Sequence, residues 1–231
     1  MPRPRLEIGN TLQAMGTAFQ ENRPLIVQLT VVFALVNAIS TLLDIAGPAG
    51  FAISFGITIL LGASYGGMIT ALLCLPGKTE GAGELWTTVK PVLARLIWVT
   101  LITAAAVVAG LLALVVPGLV LVTILAVAGQ CVVVERRGVF EALGRSTELV
   151  RDNGWRVFAF LLIIGLLSLI MLGLALLVSA PFGTSLAARL IANFLANLLS
   201  TPVLTIGAAV LYNQLSQIAR TGNPGPGQAG S

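Results

Sequence analysis

The 231-residue sequence contains no histidine and only two cysteines. Without histidine the chain lacks the commonest general base and metal ligand, and Ser–His or Cys–His nucleophile pairs are excluded. Cys74 and Cys131 have no metal-ligand spacing, and no CxxC, HExxH or glycine-rich phosphate motif is present. We therefore expect no cofactor, no metal and no enzymatic activity.

Charge is also scarce, because charged residues make up only 10% of the chain, against about 25% in soluble domains. Hydrophobic residues make up 57%, and the mean hydropathy is +0.98. Several apolar runs approach or exceed the roughly 20 residues that cross a bilayer. These runs are too long for barrel strands, so they must be helices. The sequence predicts an all-α polytopic membrane helix bundle of six transmembrane helices with interfacial amphipathic cytoplasmic helices.

Proline and glycine pairs divide the apolar runs, for example at Gly47-Pro48 and Pro76-Gly77. Residues 1–220 are predicted to form a single transmembrane domain, followed by a disordered Gly/Pro-rich tail at 221–231. Pro202 predicts a kink or break near Thr201, and residues 186–198 are left open as spanning, re-entrant or interfacial. The six predicted spans cover about residues 25–46, 50–75, 93–115, 119–134, 157–178 and 199–215.

Polar residues at helical spacing predict amphipathic helices at about 8–22, 84–92 and 138–152. The last lies in the longest polar stretch, from Glu135 to Trp155. Its mixed signs favour specific docking or structural pairing over a purely basic lipid clamp. Five of the 13 basic residues fall in or just after this stretch, and we expect them to contact lipid or a partner: Arg136, Arg137, Arg145, Arg151 and Arg156.

The basic residues predict the topology. Twelve of the 13 fall on one side of the predicted spans, and only Arg189 falls opposite. The positive-inside rule then places both termini in the cytoplasm. The net charge is +4. Because the basic residues lie beside the spans, anionic lipid headgroups are the expected partner rather than nucleic acid.

Few polar residues fall at membrane depth. Asn193, Asn197, Ser200 and Thr201 share one helix face; they either hydrogen-bond between helices or line a polar cavity near Pro202. Asp44 and Arg189 are expected to pair on the outer side.

A row of small residues lies in the second predicted span, at Gly62, Ala63, Gly66 and Gly67. It serves either close helix packing or the lining of a substrate site.

The order of motifs after Val116 is a Pro-Gly turn, an apolar span and then VVVERRGVFEALGRSTELVRDNGWRVF. This order resembles the bacterial glycerophosphoryl diester phosphodiesterase membrane-domain family, which includes YciC-like proteins. The late segment TPVLTIGAAVLYNQL resembles the family's ending, except that Asn213-Gln214-Leu215 replaces the frequent Asp-Leu-Arg. The matching positions are Pro117, Gly118, Glu135, Ala142, Leu143, Arg145, Ser146, Leu149, Val150, Asn153, Trp155, Arg156, Pro202, Leu211 and Tyr212.

The resemblance implies a bacterial inner-membrane protein. It does not imply phosphodiesterase activity, which belongs to a separate fused domain that this sequence does not contain. We expect a non-catalytic protein that organises lipid or a partner complex through its cytoplasmic amphipathic helices, as a homo-oligomer or with another membrane protein. The alternative is a small-molecule or lipid transporter using a cavity near Pro202, and a membrane enzyme is the third interpretation.

Overall fold

The structure is a computed structural model that describes residues 6–75, 81–183 and 185–222. Within these ranges the chain is helical and contains no strand. The described residues do not include Arg3, Arg5 and Lys78, or the predicted tail from residue 223 onward. The α-helices are α1 (Ile8–Glu21), α2 (Arg23–Ser40), α3 (Pro48–Cys74), α4 (Ala82–Val89), α5 (Leu93–Ala113), α6 (Val115–Ile124), α7 (Ala128–Glu135), α8 (Val139–Arg151), α9 (Gly154–Ser179) and α10 (Leu186–Gly222).

Six helical segments of the described chain are long and apolar enough to cross a membrane. They confirm the all-α helical bundle and make this a multi-pass membrane protein. Three contain a short 3₁₀ turn, at Leu43–Ala46, Lys90–Val92 and Ala180–Phe182. The segments are Arg23–Ala46, Pro48–Cys74, Ala82–Ala113, Val116–Glu135, Gly154–Phe182 and Leu186–Arg220.

Helix α10 is the centre of the bundle, because it packs against α1, α2, α3, α7, α8 and α9. It is one helix of 37 residues with Pro202 inside it, or about 55 Å at 1.5 Å per residue. Of the predicted kink or break near Thr201, the break is therefore wrong, and residues 186–198 belong to the same helix as the predicted sixth span. Packing along its whole length keeps the helix continuous despite the hydrogen bond that proline removes. Thr221 and Gly222 also belong to α10 rather than to a tail.

The fourth predicted span is not one helix, because α6 ends at Ile124 and α7 begins at Ala128. Ser146 of α8 supports this break. Its Oγ donates to the Ile124 carbonyl at 2.7 Å and accepts from the Val127 N–H at 3.3 Å. The hydroxyl thus satisfies backbone groups that the interrupted helix leaves free.

Polar side chains join the helices at one end of the bundle. Thr11 Oγ1 of α1 donates to Gln214 Oε1 of α10 at 2.5 Å. Asn213 Nδ2 of α10 donates to the Leu73 carbonyl of α3 at 3.1 Å. We call this end, where α1 and α8 meet the last turns of α3, α7 and α10, the polar end.

A change at Gly50 tests the packing of α3 on the preceding 3₁₀ turn. A Cβ at this position would lie 1.8 Å from the Leu43 carbonyl oxygen and 2.9 Å from Ala46 Cβ. Gly50→Ala should therefore cost about 1–3 kcal/mol and lower the thermal unfolding midpoint in mild detergent. Gly56→Ala is the matched control in the same helix, because its Cβ would meet nothing within 4 Å. Equal midpoints for the two variants would contradict the close approach of Gly50 to Leu43.

Candidate interaction surface at the polar end

Helix α8 is amphipathic, and one face packs into the bundle. Glu141 Oε2 accepts from the Gly138 N–H at 3.2 Å, which satisfies a donor just before the first turn. The buried face consists of Ala142, Ser146, Leu149 and Val150.

The Glu135 carboxylate at the end of α7 connects three helices. Its Oε2 lies 2.5 Å from Arg137 Nε, and its Oε1 lies 3.4 Å from Arg145 Nε on α8. Tyr212 Oη of α10 donates to the same Oε1 at 3.0 Å. These partners compensate the charge of a side chain that is only 20% exposed.

Arg145 also pairs with Glu148 on its own helix, with Nη1 and Oε2 3.2 Å apart. Burial by itself would lower the pKa of Arg145, but the hydrogen bonds and charges of Glu148 and Glu135 outweigh it and raise the pKa. Glu135, Arg137, Arg145 and Glu148 form all the ion pairs found among the described residues. We call these four residues with Tyr212 the Glu135 cluster.

Arg156 and Asn153 hold the chain before α1. The Leu6 N–H donates to Asn153 Oδ1 at 3.3 Å, and the Leu6 carbonyl accepts from Arg156 Nη1 at 2.6 Å. Leu6 itself is only 1% exposed. The backbone groups of this buried residue are therefore satisfied by the segment that follows α8.

Arg136 ends α7 in a left-handed conformation, with φ of 52°. Its carbonyl accepts a hydrogen bond from Arg95 Nη1 at 3.2 Å. A cation beside the last carbonyls of a helix is favourable, so the backbone of Arg136 has a structural role while its side chain is exposed.

Arg151 differs from the other arginines that the sequence singled out. It is exposed, and its side chain has no hydrogen bond or ion pair with any described residue. Phe140 and Trp155 nearby in the chain are 80% and 79% exposed. On α8, Phe140 and Arg151 are eleven residues apart, which places them within about 20° of each other around the helix. We call Phe140 and Arg151 of α8, together with Trp155 at the start of α9, the exposed α8 surface.

The predicted polar row on α10 forms hydrogen bonds within and between helices. Asn197 Nδ2 donates to Asn193 Oδ1 at 2.8 Å, and Thr201 Oγ1 lies 3.5 Å from Asn197 Oδ1. Ser200 Oγ donates to the Ser168 carbonyl of α9 at 3.3 Å.

A cavity of about 470 Å³ does adjoin Pro202, but residues of the polar row do not line it. Its walls are almost entirely apolar, with the Thr30 hydroxyl as an exception. That hydroxyl is already bonded to the Ile26 carbonyl and to Tyr65 Oη.

The expected pair of Asp44 and Arg189 is not formed in the described chain. Asp44 Oδ1 is buried without a hydrogen-bond partner, and Arg189 is exposed.

The fold therefore defines a multi-pass α-helical membrane protein whose observed ion pairs lie at one end. Residues 85–218 match the family model described as "Domain of unknown function (DUF7847)". The match covers more than half of the chain, so the protein belongs to this family. No curated protein and no solved structure matches the chain. The resemblance to the phosphodiesterase membrane-domain family stays a prediction.

The matched region contains Glu135, Arg145, Asn153, Arg156 and Tyr212, each of which makes one of the bonds described above. Leu6 and the buried Gln130 of α7 are two positions that sequence reasoning missed. Leu6 precedes the predicted amphipathic helix, and no local pattern marks it as buried.

A double-mutant cycle tests the Glu135 cluster. Glu135→Gln and Tyr212→Phe should each lower the unfolding midpoint, with a coupling of about 1 kcal/mol or more because the bond involves a charged group. Thermal unfolding in detergent provides the measurement. Glu148→Gln replaces Glu135→Gln in the control cycle, because Glu148 contacts Arg145 but not Tyr212 and should give additive effects. Additive effects in the Glu135 cycle would contradict this contact.

Proposed function

We propose that the protein is a non-catalytic membrane protein that organises lipid or a partner complex at one membrane surface through the polar end. The observation that carries the proposal is the exposed α8 surface, in which Arg151 has no side-chain bond to the described residues and two aromatic side chains, Phe140 and Trp155, are exposed. Aromatic rings are enriched at membrane–water interfaces, and arginines beside a span attract anionic headgroups.

The bonds of the other arginines indicate which cations remain for contact with lipid. Arg137, Arg145 and Arg156 are engaged with Glu135, Glu148 or Leu6, so their cations mainly hold the bundle together. Contact with anionic headgroups then depends chiefly on Arg151, with the exposed side chain of Arg136 as a second contributor.

The cavities favour this function over transport. A coupled transporter usually carries ionisable groups at membrane depth. No charged side chain lines the cavity beside Pro202, the cavity of about 340 Å³ beside Trp155, or the groove between α3, α5 and α7.

The proposed location is the bacterial inner membrane with both termini in the cytoplasm. Two observations support it. The hydrogen bond between Thr11 and Gln214 brings α1 and the last turns of α10 to the same end of the bundle. Arg95, Arg137 and Arg145 also lie at this end, as the positive-inside rule requires of a cytoplasmic side.

Arg151→Gln tests the proposal. In lipid particles of mixed anionic and zwitterionic lipid, the variant should bind anionic lipid about fivefold more weakly, because a basic residue near an anionic surface contributes about 1 kcal/mol. Native mass spectrometry of the retained lipids measures this change. The unfolding midpoint should stay constant, since the Arg151 side chain has no bond to any described residue.

Arg189→Gln is the matched control, because it removes the same charge from an exposed site at the N-terminal end of α10. A stoichiometric protein partner that is lost with Arg151→Gln and kept with Arg189→Gln would support the partner form of the proposal. If Arg151→Gln left both the lipids and the co-purifying proteins unchanged, the exposed α8 surface would not be the contact.

A further inference from the structure

A groove of about 370 Å³ runs between α3, α5 and α7. On α3 it extends from Thr58 to Thr70, twelve residues or about 18 Å of helix. Gly62 and Gly66 lie along this wall, and Gln130 of α7 lies on the opposite one. The groove is separate from both the Glu135 cluster and the exposed α8 surface.

The glycines of α3 serve two different purposes. A Cβ on Gly67 would lie 2.7 Å from Val89 Cγ1 and 3.0 Å from Leu96 Cδ2, so this glycine permits close packing. A Cβ on Gly62 or Gly66 would meet nothing within 4 Å. Their missing side chains therefore leave the groove open, and close packing does not explain these two glycines.

Gln130 supplies a second, independent observation. It is only 9% exposed, and its side chain forms no hydrogen bond with the described residues. The threonines of the groove are satisfied, because Thr58, Thr70 and Thr100 all donate to backbone carbonyls. Gln130 lines the groove, and the hydrogen-bonding capacity of its amide is unused within the described chain, so the amide is available to a partner from outside the chain.

The depth of Gln130 within the membrane indicates the kind of partner. Gln130 lies five residues before Glu135, or about 7.5 Å along the helix axis. The headgroup layer on each side of a bilayer is roughly 5–8 Å thick. With Glu135 at the membrane surface, the Gln130 amide lies where headgroups give way to hydrocarbon, the level of the ester linkages of glycerolipids.

We propose that the groove binds one glycerolipid, with an acyl chain along Gly62 and Gly66 and an ester carbonyl accepting a hydrogen bond from Gln130 Nε2. No charged side chain lines the groove, so the recognised group is the neutral ester.

Lipid retention by the full chain tests this site. The protein is exchanged into particles of diester phosphatidylcholine, delipidated in mild detergent, and examined by native mass spectrometry for a retained lipid. The wild type should keep one lipid most strongly. Gln130→Leu should weaken its retention about fivefold, since it removes one hydrogen bond of ordinary net strength, and Gly62→Leu should abolish it by filling the groove.

Gly165→Leu is the matched control on α9, because a Cβ there also meets nothing within 4 Å; it should keep the lipid. Dialkyl ether phosphatidylcholine, which lacks the ester carbonyls, should bind the wild type about as weakly as the diester lipid binds Gln130→Leu. Both Gln130→Leu and Gly62→Leu should keep the wild-type unfolding midpoint in delipidated protein.

Equal retention by wild type and Gln130→Leu would overturn the proposal, as would equal retention of ester and ether lipids. A Gly62→Leu variant that loses a dimer but no lipid would instead assign the groove to a second copy. Because phosphatidylcholine is zwitterionic, these results are independent of the anionic-lipid binding assigned to Arg151.

Discussion

The polar end depends on the ion pairs and the hydrogen bond that the Glu135 carboxylate makes. A partly buried charge beside lipid is costly unless it is paired and hydrogen-bonded. Arg137, Arg145 and Tyr212 meet this requirement from three parts of the chain, and in doing so they fix α7 and α8 against α10. Because α10 contacts most of the other helices, the position of this one carboxylate is coupled to the arrangement of the whole bundle.

The rest of the bundle follows a different rule. Away from the polar end, the helices bury apolar side chains against one another, such as Phe160 and Ile164 on α9, and leave others outside, such as Leu162, Leu166 and Leu169 on the same helix. Lipid tails are as apolar as these side chains, so their exposure costs nothing in a membrane and close packing drives association instead. Ion pairs of the described residues therefore occur at one end, whereas apolar packing with a few neutral hydrogen bonds, such as Ser200 to the Ser168 carbonyl, joins the helices elsewhere.

The arginines illustrate how one residue type serves several purposes. Arg145 and Arg156 bind groups of their own chain. Arg136 ends α7 with a left-handed backbone conformation, which residues other than glycine rarely adopt. Arg151 is exposed and makes no such bond to the described residues. Composition alone treats these residues as one basic patch, but their bonds separate the arginines held within the chain from Arg151, whose side chain has no partner among the described residues.

The sequence by itself determined the helical class, the six apolar segments and the amphipathic helices, because backbone satisfaction in lipid permits few alternatives to a helix. The tertiary structure decided the continuity of α10 through Pro202 and the break before α7, since both depend on helices far away in the chain. It also decided the partners of Glu135 and Leu6, and which glycines of α3 pack and which leave space. None of these has a local signal, because Ser146, Tyr212 and Asn153 reach their partners only after the helices have packed.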